Sequence, residues 1–382
     1  MLIILADDLT GAADCAARCH HAGLPATIAL PGAAPEAGGA ICCTSDSRHL
    51  PAELAARRVR ELAEGMRSYS GSIWYKKIDS TLRGHLGQEL DAALDALGRP
   101  CALICPAFPA QGRGLANGYL AIEPAPAQPL HLPTLLAGQS RRAVAALSLG
   151  DVRAGPGALA ERLLAERQRG AELLVVDALD EADLHAVLHA ARRVLPDALL
   201  CGSAGLAGTL AAALASHAPS QDDTRLVPVA GPALLVIGSG SAMARRQIDY
   251  LRRNQLVATF ELSAGSALDA GGDLLLHLPA PPPGAAMDGP AARRMAEQLA
   301  AAALPLIRAA QPGLLVLSGG DTAIAVLAGM GVTQLTVLRE LLPGAPLTRG
   351  VDAAGQAHLI VLKAGNHGDE AALADLLARA RS

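Results

Sequence analysis

Directly after the apolar run Leu2 to Leu5 the chain reads Ala6, Asp7, Asp8, Leu9, Thr10, Gly11, so two adjacent carboxylates and a hydroxyl stand where a strand gives way to a helix. One such residue is enough to cap the helix. A pair exceeds that need, and a carboxylate here could take a proton from a substrate hydroxyl or help to hold Mg²⁺.

The densest run of chemistry is Lys76, Lys77, Ile78, Asp79, Ser80, Thr81, Leu82, Arg83, Gly84, His85. Three cations lie between a strand and a helix, where exposed N–H groups and the helix dipole already favour an anion. Strand alternation turns Lys77 and Asp79 to one face and Lys76 to the other, so one lysine faces a ligand. Arg83 offers a planar fork suited to a carboxylate. Two further loops carry polar residues after apolar runs. Thr44, Ser45, Asp46, Ser47 and Arg48 follow AICC, and PAFPAQGR, ending in Arg113, follows ALIC.

In the second half, Gly238, Ser239, Gly240 and Ser241 follow Leu234 to Ile237. Ser318, Gly319, Gly320, Asp321 and Thr322 follow Leu314 to Leu317, and Lys363, Ala364, Gly365, Asn366, His367, Gly368 and Asp369 follow a third apolar run. Glycines at strand-to-helix junctions let backbone N–H groups approach phosphate oxygens. Three such junctions in one half point to a nucleotide. No GxxxxGK[ST] occurs, which excludes a P-loop. The aspartates after the first strand are adjacent rather than two apart, against a haloacid-dehalogenase-type phosphatase. Cys15 and Cys19, four apart beside His20 and His21, read better as the core face of a helix than as a zinc site, since no CxxC occurs.

The elements that must position these loops follow from periodicity. Apolar strand-like runs alternate with Ala/Leu/Arg stretches of helical period, the pattern of parallel sheets layered with helices. Strands are expected at Leu2–Leu5, Ala26–Leu30, Ala40–Thr44, Ile73–Ile78, Ala102–Cys105, Leu173–Val176 and Ala198–Cys201, with helices near 11–22, 51–65, 86–97, 157–168, 181–194 and 204–215. A second series has strands near 234–237, 257–261, 273–277, 314–317 and 358–362 and helices near 242–253, 290–308, 321–330 and 369–380. The expected fold is therefore α/β in two domains, residues 1–220 and 233–382, joined by a linker at 221–232, with residues 279–290 as a surface loop. In open α/β sheets ligands bind beyond the carboxyl ends of the strands, where these polar residues fall.

The 382 residues suit two domains. A net charge of −4 with one Trp, two Phe and four Tyr leaves neither a basic field nor stacking surface, so no nucleic-acid partner is expected. Seven cysteines, an odd count, suit a reducing compartment. The start MLIILADDLT lacks a signal peptide's basic flank, and no apolar run is long enough to span a bilayer, so a cytoplasmic protein without a membrane partner is expected.

ADDLTGAAD at 6–14, KKIDSTLRG at 76–84, PAFPAQGR at 106–113, GSAGLA at 202–207, LSGGDTA at 317–323 and LKAGNHGD at 362–369 together resemble the four-carbon acid sugar kinase family, in order along both halves. The chain departs from that pattern in AGNHGD, where the family more usually has SGNFGD. The resemblance implies an ATP- and Mg²⁺-dependent kinase acting on the 4-hydroxyl of 3-oxo-tetronate, D-threonate or D-erythronate. The acid sugar would be held by the N-terminal domain and ATP by the C-terminal one, with the active site in the interdomain cleft and a homodimer allowed. It implies that Asp7, Asp8, Arg48, Lys77, Asp79, Ser80 and Arg83 surround the acid, and that Ser239, Ser241, Gly319, Gly320, Asp321, Thr322 and Gly365 contact ATP. Asp8 would then be general base or Mg²⁺ partner, Lys77 would neutralise the transferring charge and Arg83 would hold the acid group; the Mg²⁺ ligands stay open. A phosphatase of a phosphorylated sugar acid, which needs no ATP, and a nucleotide-gated sensor without turnover are the competing expectations.

Overall fold

The computed structural model describes residues 1–33, 35, 38–69, 71–123, 125–126, 128–215, 228–262, 272–279 and 289–382. The chain divides into two compact units, one of Met1–Leu24 with Glu36–Pro219, the other of Pro25–Pro35 with Ser220–Ser382. Most of the expected linker at 221–232, and most of the expected surface loop at 279–290, lie outside the described residues.

In the first unit the strands β1 (Leu2–Ala6), β3 (Ala40–Thr44), β4 (Ile73–Lys77), β5 (Ala102–Cys105), β8 (Val144–Leu147), β9 (Leu173–Val176) and β10 (Leu199–Gly202) form a parallel sheet in the order β3-β1-β4-β10-β5-β9-β8. Every residue of β1, β3, β5, β9 and β10 is buried, as a strand covered on both faces requires. Helix α2 (Ala52–Gly65) packs on α3 (Leu86–Leu97), and α3 on α4 (Leu132–Gln139); α1 (Leu9–His21) packs on α8 (Ala204–Leu214), and α8 on α7 (Glu181–Val194). Two helical layers thus enclose the sheet. The chain leaves β1 for β3 on one side and then crosses to β4 on the other, so the loops after β1 and β4 flank a topological switch point.

In the first unit the helix α4, the strand β8, the short helix α5 (Leu149–Arg153) and a hairpin are among the elements that went unread in the sequence. A hairpin of β6 (Arg113–Ala116) and β7 (Tyr119–Ile122) turns at Asn117 and Gly118, both with positive φ, and the turn amides donate to Asp177 at 2.5 and 2.9 Å. The strand β8 and the short helix α5 lie between Ala-rich segments whose composition suits a helix as well as a strand.

The second unit contains a sheet in the order β12 (Ala258–Glu261), β13 (Leu274–His277), β11 (Ala233–Ile237), β14 (Leu314–Ser318), β17 (Ala357–Lys363), β16 (Ala345–Val351), β15 (Gln334–Leu342), β2 (Ala26–Ala29). The first five run parallel, and β16, β15 and β2 are antiparallel to their neighbours. The segment expected as the second strand of the N-terminal domain is therefore the edge strand of the other unit, pairing Ile28 with Leu335. Its four residues are apolar and β-prone, and nothing local states which sheet they join. Strand β15, QLTVLRELL, has helix-forming composition and was not expected; register shifts interrupt its pairing with β16.

Helices α9 (Ala242–Arg253) and α12 (Ala372–Arg381) pack together over a core including Leu235, Ile248, Leu251, Val316, Val361 and Leu373, while α10 (Gly289–Ala310) packs on α11 (Gly320–Met330). The chain leaves β11 toward β12 and returns at β14 on the other side, so this sheet's switch point falls between β11 and β14.

Candidate active site

In the first unit, Asp7 and Asp8 stand at the carboxyl end of β1. Asp8 has extended backbone and caps α1, its carboxylate accepting from Gly11 N at 2.7 Å and from Thr10 Oγ1 at 2.6 Å. The bare capping role is thus real, and it is not the whole of it. Arg48, from the loop after β3, donates Nε and Nη2 to Asp7 at 2.7 and 2.9 Å, and Nη1 and Nη2 to Asp8 at 2.5 and 2.8 Å. Burial alone would raise the Asp7 carboxyl; the charge and hydrogen bonds of Arg48, aided by Lys76 and Lys77, outweigh it and hold Asp7 below the usual carboxylate range. Arg48 is likewise pulled two ways, burial opposing its charge and the three aspartates Asp7, Asp8 and Asp79 raising its pKa well above its ordinary value. Arg48 is a clamp that joins two strand ends, and its donors are largely spent on that.

The two lysines separate as strand alternation requires. Lys76 is 0 % exposed and its ammonium meets Glu89 of α3 at 2.7 Å. Glu89 also accepts from Ser47 Oγ at 2.7 Å, and Ser47 lies 2.8 Å from Ser45 Oγ, which donates to Ala6 O. Burial would lower the Lys76 pKa, and Glu89 with Asp7 reverses this. Lys76 is consumed in a buried network that fixes the 45–48 loop. Lys77 turns to the other face, toward the first turn of α1, where its Nζ donates to Ile78 O at 3.0 Å. A Cβ on Gly11 would stand 3.1 Å from that ammonium and 2.6 Å from Asp8 Oδ1, so only glycine leaves the approach open.

After β4, Asp79 receives Arg83 Nε at 2.6 Å and Nη2 at 3.1 Å, together with the Thr81 hydroxyl. Burial works to raise Asp79, but the Arg83 hydrogen bonds and the charge of Arg48 carry it far below the usual range. The fork of Arg83, read in the sequence as free for a substrate acid, is taken by Asp79, though the side chain is 54 % exposed at its rim. The loop holds Leu82 at φ +63° and Gly84 at φ +94°. A left-handed leucine is a strained conformation of the kind that clusters at functional sites.

Ser80 accepts from Arg113 Nη1 at 2.6 Å. Arg113 sits where β6 begins, pinned by paired backbone bonds with Phe108, and that loop is in turn held by Ser203, whose hydroxyl caps α8 and donates to Ala107 O at 2.7 Å. Among the described residues no carboxylate lies within ion-pair distance of Arg113, and its buried Nε has no hydrogen-bond partner. Burial lowers its pKa, with Asp79 and Asp14 only partly opposing that. In the sequence Arg113 is the cation that ends a loop after a buried strand, and that position is the signal that brings it to the site. Asp7, Asp8, Asp79 and Glu89 are held directly by Arg48, Arg83 and Lys76, whereas Arg113 makes no ion-pair contact among the described residues.

The second unit brings its three junction loops to the ends of the neighbouring strands β11, β14 and β17. Gly238 N donates to Ser318 O at 2.9 Å and Gly319 N to Lys363 O at 3.3 Å. Ser241 caps α9 through Ala244 N at 3.1 Å and donates to Gly365 O at 2.8 Å. A Cβ on Gly365 would overlap the Ser239 side chain, and one on Gly238 would overlap Thr322 Oγ1. Gly319, at φ +107°, begins α11 without a side-chain cap, and nothing lies within 4 Å of where a Cβ on Gly320 would be. An uncapped helix start beside open space is an anion cradle, so the residues present fit a nucleotide's phosphates. Ser239, Ser241, Gly319, Gly320, Asp321, Thr322 and Gly365 all lie at these junctions.

Cys15 and Cys19 lie buried in α1, and burial raises the Cys15 thiol well above its usual range. Among the described residues no group of three or more His, Cys, Asp or Glu side chains could hold a metal ion, and no helix is long and apolar enough to cross a membrane.

Residues 2–210 match the family model for a sugar-binding N-terminal domain and residues 284–373 that for a nucleotide-binding C-terminal domain. The chain is 33% identical to a D-threonate kinase of Cupriavidus necator, with 97% of this chain and 96% of that one covered. It is 29% identical to a D-erythronate kinase of Heliobacterium modesticaldum (95% and 93%) and 31% identical to a 3-oxo-tetronate kinase of Methylobacterium radiotolerans (95% and 95%). A solved chain of Salmonella typhimurium LT2 superposes with a TM-score of 0.75 at 26% identity, covering 100% of this chain and 98% of that one. Full-length similarity to three kinds of sugar-acid kinase, with a sugar-binding and a nucleotide-binding domain matched in that order, makes this chain a carbohydrate kinase of the four-carbon acid sugar kinase family.

Proposed function

We propose that the protein transfers the γ-phosphoryl group of ATP to the 4-hydroxyl of a four-carbon acid sugar, with D-threonate the first substrate to test because both D-threonate kinases of Cupriavidus necator and Bordetella bronchiseptica share 33% identity with it. The observation that carries the reading is Arg113, a partly buried cation with a hydroxyl for a neighbour, no carboxylate partner and an unpaired Nε–H among the described residues. A guanidinium without an ion-pair contact suits a monocarboxylate, which it can hold by two parallel hydrogen bonds. Arg113 with Ser80 thus takes the anchoring role expected of Arg83, while Arg83 and Asp79 form the wall beside it.

Asp8 and Lys77 lie at the first turn of α1, the carboxylate to accept the hydroxyl's proton and the ammonium to offset the charge in transit. Arg48 holds both oxygens of Asp8, so the substrate hydroxyl must compete with this clamp for the carboxylate. The nucleotide's phosphates lie on the amides of Gly320 to Thr322 and against Gly365. Charge neutralisation at the phosphates would come from Mg²⁺ bound with the nucleotide, as this ion usually is. The reading requires the γ-phosphate to reach the sugar hydroxyl at some point in turnover. A coupled assay of ADP release with D-threonate, D-erythronate and 3-oxo-tetronate tests it. Acid-stimulated release is expected, with the highest kcat/KM for D-threonate; release no faster with any acid than with ATP alone would sink the reading.

A further inference from the structure

The role of one buried cation in the second unit is left open by the phosphate cradle. Lys363 ends β17, is 1 % exposed, and donates its ammonium protons to two neutral oxygens, Gln247 Oε1 at 2.8 Å and Ala364 O at 3.0 Å. Gln247, itself buried on α9, turns its amide nitrogen to the carbonyls of His367 and Asp369 at 2.9 and 2.8 Å. One ammonium therefore holds both ends of the 364–369 loop, directly and through Gln247. Its register partner Ser318 is also buried, and the Ser318 hydroxyl has no hydrogen-bond partner among the described residues. Register partners in a parallel sheet share a face. An ammonium and an orphaned hydroxyl thus stand side by side beneath the junctions that Gly319 and Gly365 open.

Among the described residues no carboxylate offsets this charge. The groups packed around it are Gln247 from α9, Ser318 from β14 and the loop carbonyls, and no charged side chain moves its pKa; burial alone lowers it to about 8. A structural lysine is ordinarily paired, as Lys76 is with Glu89.

We propose that Lys363 is a positioning residue of the nucleotide site, its buried positive charge completed by the phosphates of bound nucleotide and its hydrogen bonds holding the 364–369 loop in the phosphate-binding form. This rests on the reading of the second unit as the nucleotide site. Its consequence is proton-linked binding. At about pH 8 the free protein carries this proton in about half of the molecules, and a polyanion draws it on, so ADP binding takes up about half a proton.

Titration calorimetry of ADP into the full chain at pH 8, in two buffers of different ionisation heat, reads that number. The wild type should take up about 0.5 proton per ADP, and Lys363→Met should take up none and bind at least about tenfold more weakly. Lys363→Arg, charged at every pH used, should restore much of the affinity without the uptake. Unchanged uptake in both variants, or ADP binding by the wild type with no uptake, overturns the role of Lys363 and leaves the nucleotide site standing. No ADP binding by folded wild type overturns both. If Lys363→Met fails to fold by circular dichroism, the wild-type uptake and the Lys363→Arg result decide.

Discussion

Replacing Arg113 by Gln removes a guanidinium that has no ion-pair contact among the described residues, while keeping a side chain that can still reach Ser80. The guanidinium is partly buried and has an unpaired donor, so a substrate carboxylate would gain charge-assisted bonds in a site with little competing water. A hydrogen bond to a charged group is worth about 1.5–3 kcal/mol. At about 1.4 kcal/mol per factor of ten, Arg113→Gln should lower kcat/KM for the acid by about 10- to 150-fold. The loss should appear mostly in KM for the acid, with KM for ATP within about twofold, because uniform binding is what has been removed. Arg113→Lys should fall between, since an ammonium is a point charge without the fork. The folded state should not suffer, because burial already disfavours this charge. Steady-state kinetics with each substrate varied in turn, beside a thermal melt, makes the measurement. If Arg113→Gln left KM for the acid unchanged, or cost stability in place of affinity, the anchoring role would be refuted.

Glu89→Ala strands Lys76 in a site where both are essentially inaccessible, so stability should fall by about 3–5 kcal/mol and the melting temperature of the first unit by roughly 6–20 °C; an unchanged melt would deny that the pair is structural. Gly365→Ala drives a methyl group into Ser239, so KM for ATP should rise by at least about tenfold while KM for the acid holds; equal effects on both would point to general damage. Asp79 has its folded pKa depressed by Arg83 and Arg48, so the stability it contributes is complete above its unfolded value of about 4 and is lost as pH falls below it. Melting temperatures followed from about pH 5 to about pH 2.5 should therefore drop less steeply in Asp79→Asn than in the wild type, and parallel curves would contradict the assignment.

Much of the fold was legible because parallel strands covered on both faces are short apolar runs, and those at Ala40–Thr44, Ala102–Cys105 and Leu173–Val176 were read with their observed ends. What failed was pairing that depends on distant partners. Ala26–Ala29 has a strand's composition and no local mark of which sheet it joins, and Leu338 to Leu342 would suit a helix equally until Ala345–Val351 pairs with it. In the site, alternation along β4 separated Lys76 from Lys77 correctly, because it is a property of the strand itself. The occupation of Arg83 by Asp79 and the isolation of Arg113 were not legible. Each depends on which carboxylates the fold brings near, and an arginine in a sequence carries no record of its partner.

In the proposed reaction a phosphoryl group passes from ATP to the primary alcohol of a four-carbon acid. A proton-coupled phosphorus-31 NMR spectrum of the product tests this most directly, because the phosphorus couples to the protons on the carbon that bears it. With D-threonate and ATP, or with whichever acid stimulates ADP release, a phosphate monoester signal split into a triplet by the two protons of the terminal carbon is expected. A doublet, which marks an ester on an inner carbon, or inorganic phosphate as the sole new signal, would contradict it.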